Sequence, residues 1–280
     1  MSAHNFVVSG FADEIGPGLE TQLDVLGALG IDHLDLRRVE DTNVLDFSDE
    51  QIERVAGALE ERGIGVTSIG SPIGKIDITG DFEPHFERFE TALEMAKTFD
   101  TEYIRLFSYY IPDDDDPADY REEVLRRMRA KVDRAEEAGV TLLHENEKEI
   151  YGDTPERCRD LLTTIDSPNF RAIFDPANFL EVGVTAYPDA LLEVIEYVEQ
   201  LHIKDATLGE RGEIVPAGEG DGRIRETIAS LRARGFEGTV SLEPRLVIAG
   251  PRSGYSGPVG YEVAAEALFS CLESVHATGE

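Results

Sequence analysis

Tryptophan is absent from this chain, cysteine occurs twice, lysine five times, and no apolar run approaches the roughly 20 residues that span a bilayer. The last absence excludes a helical membrane protein. Cys158 and Cys271 lie far apart in helix-like segments, which fits free thiols in a reducing compartment and not a disulfide framework. The opening residues, MSAHNFVVSGFADE, lack a basic segment followed by a long apolar stretch, so no signal peptide is expected and the chain reads as cytoplasmic. Positive charge is the scarcest commodity: 26 Lys and Arg stand against 57 Asp and Glu, a net charge of −31. Such a field repels nucleic acid and anionic membranes and removes both as expected partners. Apolar residues still make up 41 %, enough for a core, so the acidity does not signal disorder. An acidic, lysine-poor surface over an ordinary core resembles the proteins of halophiles. The DDDD run at 113–116 reads as a solvated loop and helix start.

What is present alternates. Short strand-like runs fall near 6–11, 33–38, 64–69, 102–107, 140–145, 170–174, 198–203 and 238–243, and segments with helical spacing follow near 18–29, 48–62, 83–99, 117–138, 155–165, 187–196, 222–234 and 259–275. Ser48 with Gln51 three residues on predicts a capping box, and Gly30, Gly63, Gly139 and Gly235 stand where helices should stop. Strict strand–helix alternation implies a parallel sheet with right-handed crossovers. Eight units without a linker predict closure into a single-domain (β/α)8 TIM barrel over residues 1–280. No G-x-G-x-x-G follows the first strand, which argues against a dinucleotide fold.

In such a barrel the chemistry sits at the C-terminal strand ends. The last four strands end in LLHE, AIFD, LHIKD and SLE, placing Glu145, Asp175, His202 and Glu243 at one mouth. Side chains alternate along a strand, so Glu145 shares the inward face of Thr141 and Leu143, and His144 faces the helices. Three carboxylates and an imidazole crowded together would cost several kcal/mol unpaired, and a divalent cation converts that cost into affinity. The hard ligand set favours Mn2+ or Mg2+, with Zn2+ or Co2+ also accommodated.

The segments HENEKEIYGDTPER (144–157), FDPANF (174–179), HIKD (202–205), PAGEGD (216–221) and SLEP (241–244) resemble the xylose-isomerase-like TIM barrels, a family of sugar isomerases and epimerases, inosose dehydratases and endonuclease IV. The resemblance spans nearly the whole chain, and SPIGK (71–75) and IRLFSYY (104–110) are similar to the sugar-isomerase branch. It implies one metal ion on Glu145, Asp175, His202 and Glu243. It also implies a sugar or polyol substrate, and proton transfer beside a carbonyl through a metal-stabilised enediolate, with Glu145 and Glu243 as the acid–base pair. Asn178 departs from the Asp-x-x-His that many members carry, and the missing tryptophan leaves any stacking wall to Phe or Tyr.

Arg37, Lys75, Arg105, Ser108, Lys148, Asn178 and Lys204 are the candidate substrate contacts, and Asp205 is the candidate residue for orienting His202 or Lys204. The glycine-rich stretches 217–223 and 249–260, with Arg211, Arg223 and Arg252, leave a phosphorylated substrate open. An inosose-type dehydratase is the alternative on the same site. Two weaker alternatives are a nuclease like endonuclease IV, which six histidines and the acidic charge disfavour, and a sugar-binding barrel without catalysis. A homo-oligomer is compatible with the sequence.

Overall fold

The computed structural model describes residues 6–208, 212–246 and 256–277. Eight parallel strands form one sheet: β1 (Val7–Gly10), β2 (His33–Leu36), β3 (Gly65–Ile69), β4 (Tyr103–Leu106), β5 (Thr141–Glu145), β6 (Phe170–Phe174), β7 (Val198–Ile203) and β8 (Thr239–Leu242). Their order around the sheet is β1-β8-β7-β6-β5-β4-β3-β2. The chain thus returns to its start, because β1 also lies against β2, where the Ser9 hydroxyl donates to Asp35 at 2.9 Å. The result is the expected nearly closed TIM barrel.

Helices wrap the sheet: α1 (Leu19–Leu29), α2 (Asp49–Arg62), α3 (Phe82–Thr98), α4 (Pro117–Ala138), α5 (Pro155–Ile165), α6 (Pro176–Glu181), α7 (Leu191–Val194), α8 (Ile224–Ala233) and α9 (Gly257–Ala277). Ser48 and Gln51 form the reciprocal capping box at the start of α2, and left-handed Gly63 ends that helix at φ 65°. The apolar stripe of α1, Leu19, Leu23 and Leu26, is buried against the barrel. Among the described residues no helix is long and apolar enough to cross a membrane. Cys158 and Cys271 are free and buried.

Two sequence expectations need correction. The sixth helix, expected over 187–196, is broken into the irregular turn Ala186–Ala190, α7 and the short 3-10 turn Ile195–Tyr197, and the six-residue α6 precedes it. Proline at 188 lacks the N–H that a continuous helix would use. The second strand ends at Leu36, not 38, and Arg38–Val39 instead pairs with Thr42–Asn43 in a small antiparallel hairpin above the barrel. A register shift between Leu34 and Asp35 marks the change of course.

Candidate metal centre

Strands β5 to β8 carry the four expected ligands to one point. Glu145 is the last residue of β5, Asp175 follows β6, His202 lies near the end of β7 and Glu243 follows β8. One ligand atom from each lies within 4.8 Å of every other. Asp175, His202 and Glu243 are fully buried and Glu145 is 2 % exposed. A cavity of about 340 Å³ opens above, lined by Glu145 together with Glu14, Arg37, Arg38, Lys75, Arg105 and Arg245. That volume suits a small ligand.

Local structure aims each group. Asp175 caps α6: its Oδ1 accepts from the backbone N–H of Asn178 at 3.0 Å, and Pro176 fills the first helical position, where no N–H is needed. The Asn146 side chain clasps the Asp175 backbone in both directions, donating to its carbonyl and accepting from its N–H, each at 2.9 Å. Asn178 donates to Glu145 at 3.3 Å and to the Asn146 carbonyl at 2.8 Å, while its own oxygen accepts from Lys204 at 2.6 Å. The amide thus joins Glu145 to Lys204, a bridge that needs donor and acceptor at one end. The Lys204 ammonium lies 2.8 Å from Asp175 Oδ2 as an ion pair without hydrogen-bond alignment.

Cations support the carboxylates from the other half of the barrel. Arg37 donates to Asp13 at 2.8 Å, to Glu14 at 3.0 Å and to Glu243 at 2.5 Å. Arg105 donates to Glu145 at 3.1 Å and to the Gly70 carbonyl at 3.2 Å. Phe11 seats both guanidinium groups, at 4.4 Å and 4.8 Å from its ring centroid, and meets the His202 ring edge-on at 5.2 Å.

Burial pulls each ionisable group toward neutrality, and the neighbouring charges decide the outcome. For Glu145 burial opposes ionisation, but His202 and Arg105 outweigh it and hold the carboxyl at about 2. Glu243 is likewise held far below the usual range against its burial, by Arg245, Lys204 and Arg37. Asp175 goes the other way: burial exceeds the help of Lys204 and pushes it up to about 6. His202 is raised despite burial, chiefly by the Glu145 charge.

Three polar atoms at this point have no hydrogen-bond partner: Asp175 Oδ2, His202 Nε2 and Glu243 Oε2. Buried polar groups are normally satisfied. Carboxylate oxygens without a hydrogen bond, gathered with an imidazole so that one ligand atom of each residue lies within 4.8 Å of the others, are what a divalent cation takes up. The residues present therefore fit such an ion.

The remaining candidates divide. Arg37, Lys75 and Arg105 line the cavity, and Asn178 and Lys204 lie beneath it, wholly buried. Ser108 does not reach it: its hydroxyl sits behind the strands between His144 Nε2 at 2.9 Å and the Gly152 N–H at 2.8 Å. His144 is buried there, on the helix side. Lys148 is exposed and pairs with Glu181 at 3.0 Å. Asp205 touches neither His202 nor Lys204. Instead its carboxylate accepts four backbone N–H groups, from Ala206, Gly218, Gly220 and Gly222, at 2.8 to 3.1 Å. The glycines follow from this, since a Cβ on Gly220 would come within 2.4 Å of that carboxylate. Stretch 217–223 is thus folded around an internal anion, and these N–H groups are not available to a phosphate. Arg223 pairs with Glu226 at 3.5 Å, while Arg211, Arg252 and most of stretch 249–260 lie outside the described residues. Sequence reasoning missed Asp13, Glu14 and Arg245. The first two carry the same signal as the chosen four, an acidic pair (FADE) just past strand one.

A barrel whose C-terminal mouth gathers two glutamates, an aspartate and a histidine around unshared lone pairs defines the class: a TIM barrel with a built metal-type centre. The family model described as xylose isomerase-like TIM barrel matches residues 23–268, and the chain belongs to that family. A 3-dehydroshikimate dehydratase from Bacillus anthracis is 24 % identical over 199 residues, covering 65 % of this chain and 70 % of the relative. Among solved structures, a xylose isomerase-like TIM barrel protein from Mycobacterium smegmatis in complex with magnesium superposes with a TM-score of 0.71 at 19 % identity, over 95 % of this chain and 97 % of the other. The D-psicose 3-epimerase from Clostridium cellulolyticum H10 with D-tagatose gives 0.69 at 17 %, over 97 % and 99 %. These structural likenesses establish the fold.

Proposed function

We propose that the chain is a divalent-metal-dependent enzyme that moves a proton on the carbon beside a carbonyl in a small polyhydroxylated substrate, as a sugar isomerase or epimerase does. The observation that carries this reading is the convergence of Glu145, Asp175, His202 and Glu243, buried side chains that each bring a ligand atom within 4.8 Å of the others' at the cavity wall, with no hydrogen bond made by Asp175 Oδ2 or Glu243 Oε2. An ion held by these four residues would supply Lewis-acid polarisation of a substrate oxygen, with Mn2+ or Mg2+ favoured by the carboxylate-rich set.

The chain's own groups do the rest. Glu145 lines the cavity, where a bound substrate would lie within its reach, and is the group that accepts a proton from a substrate carbon. Glu243, three strands further on, is the partner carboxylate, and Arg37 holds it in place. Lys204 and Asn178 lock Asp175 and Glu145 to one another, which limits the drift that costs rate in a positioned reaction. Dehydration is the second reading. It begins with the same proton removal and ends with loss of a neighbouring hydroxyl, and the similarity to a named dehydratase over 199 residues favours it.

Incubation of the Mn2+-loaded chain with a panel of ketoses in deuterated water tests both. Deuterium uptake beside the carbonyl without loss of water is the expected result. Growth of an enone absorbance instead selects dehydration. A chain that binds no divalent ion, or holds one and exchanges no proton on any member of the panel, overturns the proposal.

A further inference from the structure

Acids outnumber bases more than two to one in this chain, yet the cavity above the centre reverses the ratio. Five of its lining residues are basic, Arg37, Arg38, Lys75, Arg105 and Arg245, and three are acidic, Glu14, Glu145 and Glu147. Part of the excess is already committed. Arg37 is consumed by Asp13, Glu14 and Glu243, and Lys75 donates to Glu147 at 3.0 Å. Arg38 and Arg245 are different. Among the described residues the Arg38 guanidinium makes no hydrogen bond or ion pair, and Arg245 has one long contact, 3.5 Å to Glu243. Both are exposed at the rim.

Two further observations point the same way. Arg105 is 6 % exposed and lines the cavity, and its Nε has no acceptor. A buried N–H without a partner is costly, and a ligand oxygen would supply one. Arg38 and Asn43 are directly opposite each other in the small hairpin, and both line the cavity. The Asn43 oxygen is spent on the Leu45 N–H, so this residue offers the cavity its amide N–H2. Arg245, for its part, is held with φ at 46°, a left-handed conformation uncommon for a side chain of its size. The wall of the cavity from Arg38 and Asn43 round to Arg105 and Arg245 therefore presents donors and positive charge.

We infer that this rim is a subsite for an anionic group of the substrate, a carboxylate or phosphate. Arg38 and Arg245 are its principal contacts, and guanidinium groups suit either oxyanion because their paired N–H groups match two oxygens at once. The inference rests on the proposed function in placing the reacting end of the same molecule at Glu145. The chain's overall field opposes anions, so a preference for them would have to arise locally.

Calorimetry on the Mn2+-loaded chain at fixed ionic strength tests this with three probes: gluconate, glucitol 6-phosphate and neutral glucitol. One of the two anionic probes is expected to bind at least about tenfold tighter than glucitol, and the preferred one identifies the group as carboxylate or phosphate. In the variant Arg38→Met that preference should collapse to within about threefold, with glucitol affinity and Mn2+ content unchanged. Equal binding of all three probes overturns the subsite while the metal reading stands. A preference that survives in Arg38→Met also overturns it, because the oxyanion is then seated on the metal. A chain that retains no Mn2+ but keeps an Arg38-dependent preference overturns the metal reading and leaves the subsite in place. Binding of none of the probes overturns both.

Discussion

Asp35 and Glu243 are buried carboxylates inside the same barrel, one side-chain layer apart. Ser241, which bonds Asp35, and Glu243 occupy alternate positions at the end of β8. Their surroundings are opposite in kind. Asp35 accepts from four neutral donors, Ser9 at 2.9 Å, Ser68 at 2.5 Å, Gln200 at 2.8 Å and Ser241. Each of its oxygens has two partners. Glu243 has Arg37 on one oxygen and nothing within hydrogen-bonding reach on the other, where His202 lies at 3.6 Å and Lys204 at 3.9 Å. Asp205 resembles Asp35, with four backbone N–H groups on its two oxygens. The difference teaches how to sort buried acids: a carboxylate saturated by neutral donors holds the fold together, and one left with open lone pairs beside others like it awaits a cation.

The largest test of that division compares substitutions across it. Asp175→Asn or Glu243→Gln removes a ligand, and since loss of a mere supporting partner weakens metal sites 10- to 100-fold, the affinity for Mn2+ should fall by more than about 100-fold. Elemental analysis after equilibrium dialysis reads this directly. Asp205→Ala should leave metal content intact and cost about 3 kcal/mol, because four N–H groups around Gly220 lose their acceptor at once. Urea unfolding gives the stability, and faster proteolysis within 216–222 would locate the damage. Asp35→Asn should cost about 2 kcal/mol, again with full metal content. If Asp35→Asn empties the centre, the two layers are one functional unit and the division fails.

How far these roles could be foreseen depends on the kind of contact. The barrel was legible because strand and helix boundaries are local: Gly63 stops a helix, and Ser48 with Gln51 starts one, wherever they occur. That Glu145, Asp175, His202 and Glu243 gather at one mouth was legible because parity along a strand is also local. The same rule, carried three residues on from inward Arg105, would have turned Ser108 outward, where the structure places it. Asp205 was not legible, since its partners lie up to 17 residues away and are backbone groups that no periodicity encodes. Arg245 was hidden for a related reason. It lies past the end of β8 in left-handed backbone, where strand alternation no longer says which way a side chain points.

Lys131 extends the comparison to a buried cation and gives the smallest effect. It is fully buried in α4, donates to the Tyr109 hydroxyl at 2.7 Å and lies 4.4 Å over that ring, with no carboxylate paired to it among the described residues. Burial, with Arg127 adding repulsion, lowers its pKa from the ordinary 10.5 to about 7. Between those values the unfolded chain binds a proton that the folded chain does not, so stability should rise with pH across that window and be flat below it. From pH 7 to 9 the gain should be about 1–2 kcal/mol. Lys131→Met keeps the volume and abolishes the slope. Subtracting its urea-derived stabilities from those of the parent chain isolates the one group, because every other titration is common to both chains. Parallel curves would mean that Lys131 keeps its proton in the fold. Tyr109 would then be enough to hold a buried charge, and one neutral acceptor would do for a buried ammonium what neutral donors do for the carboxylates of Asp35 and Asp205.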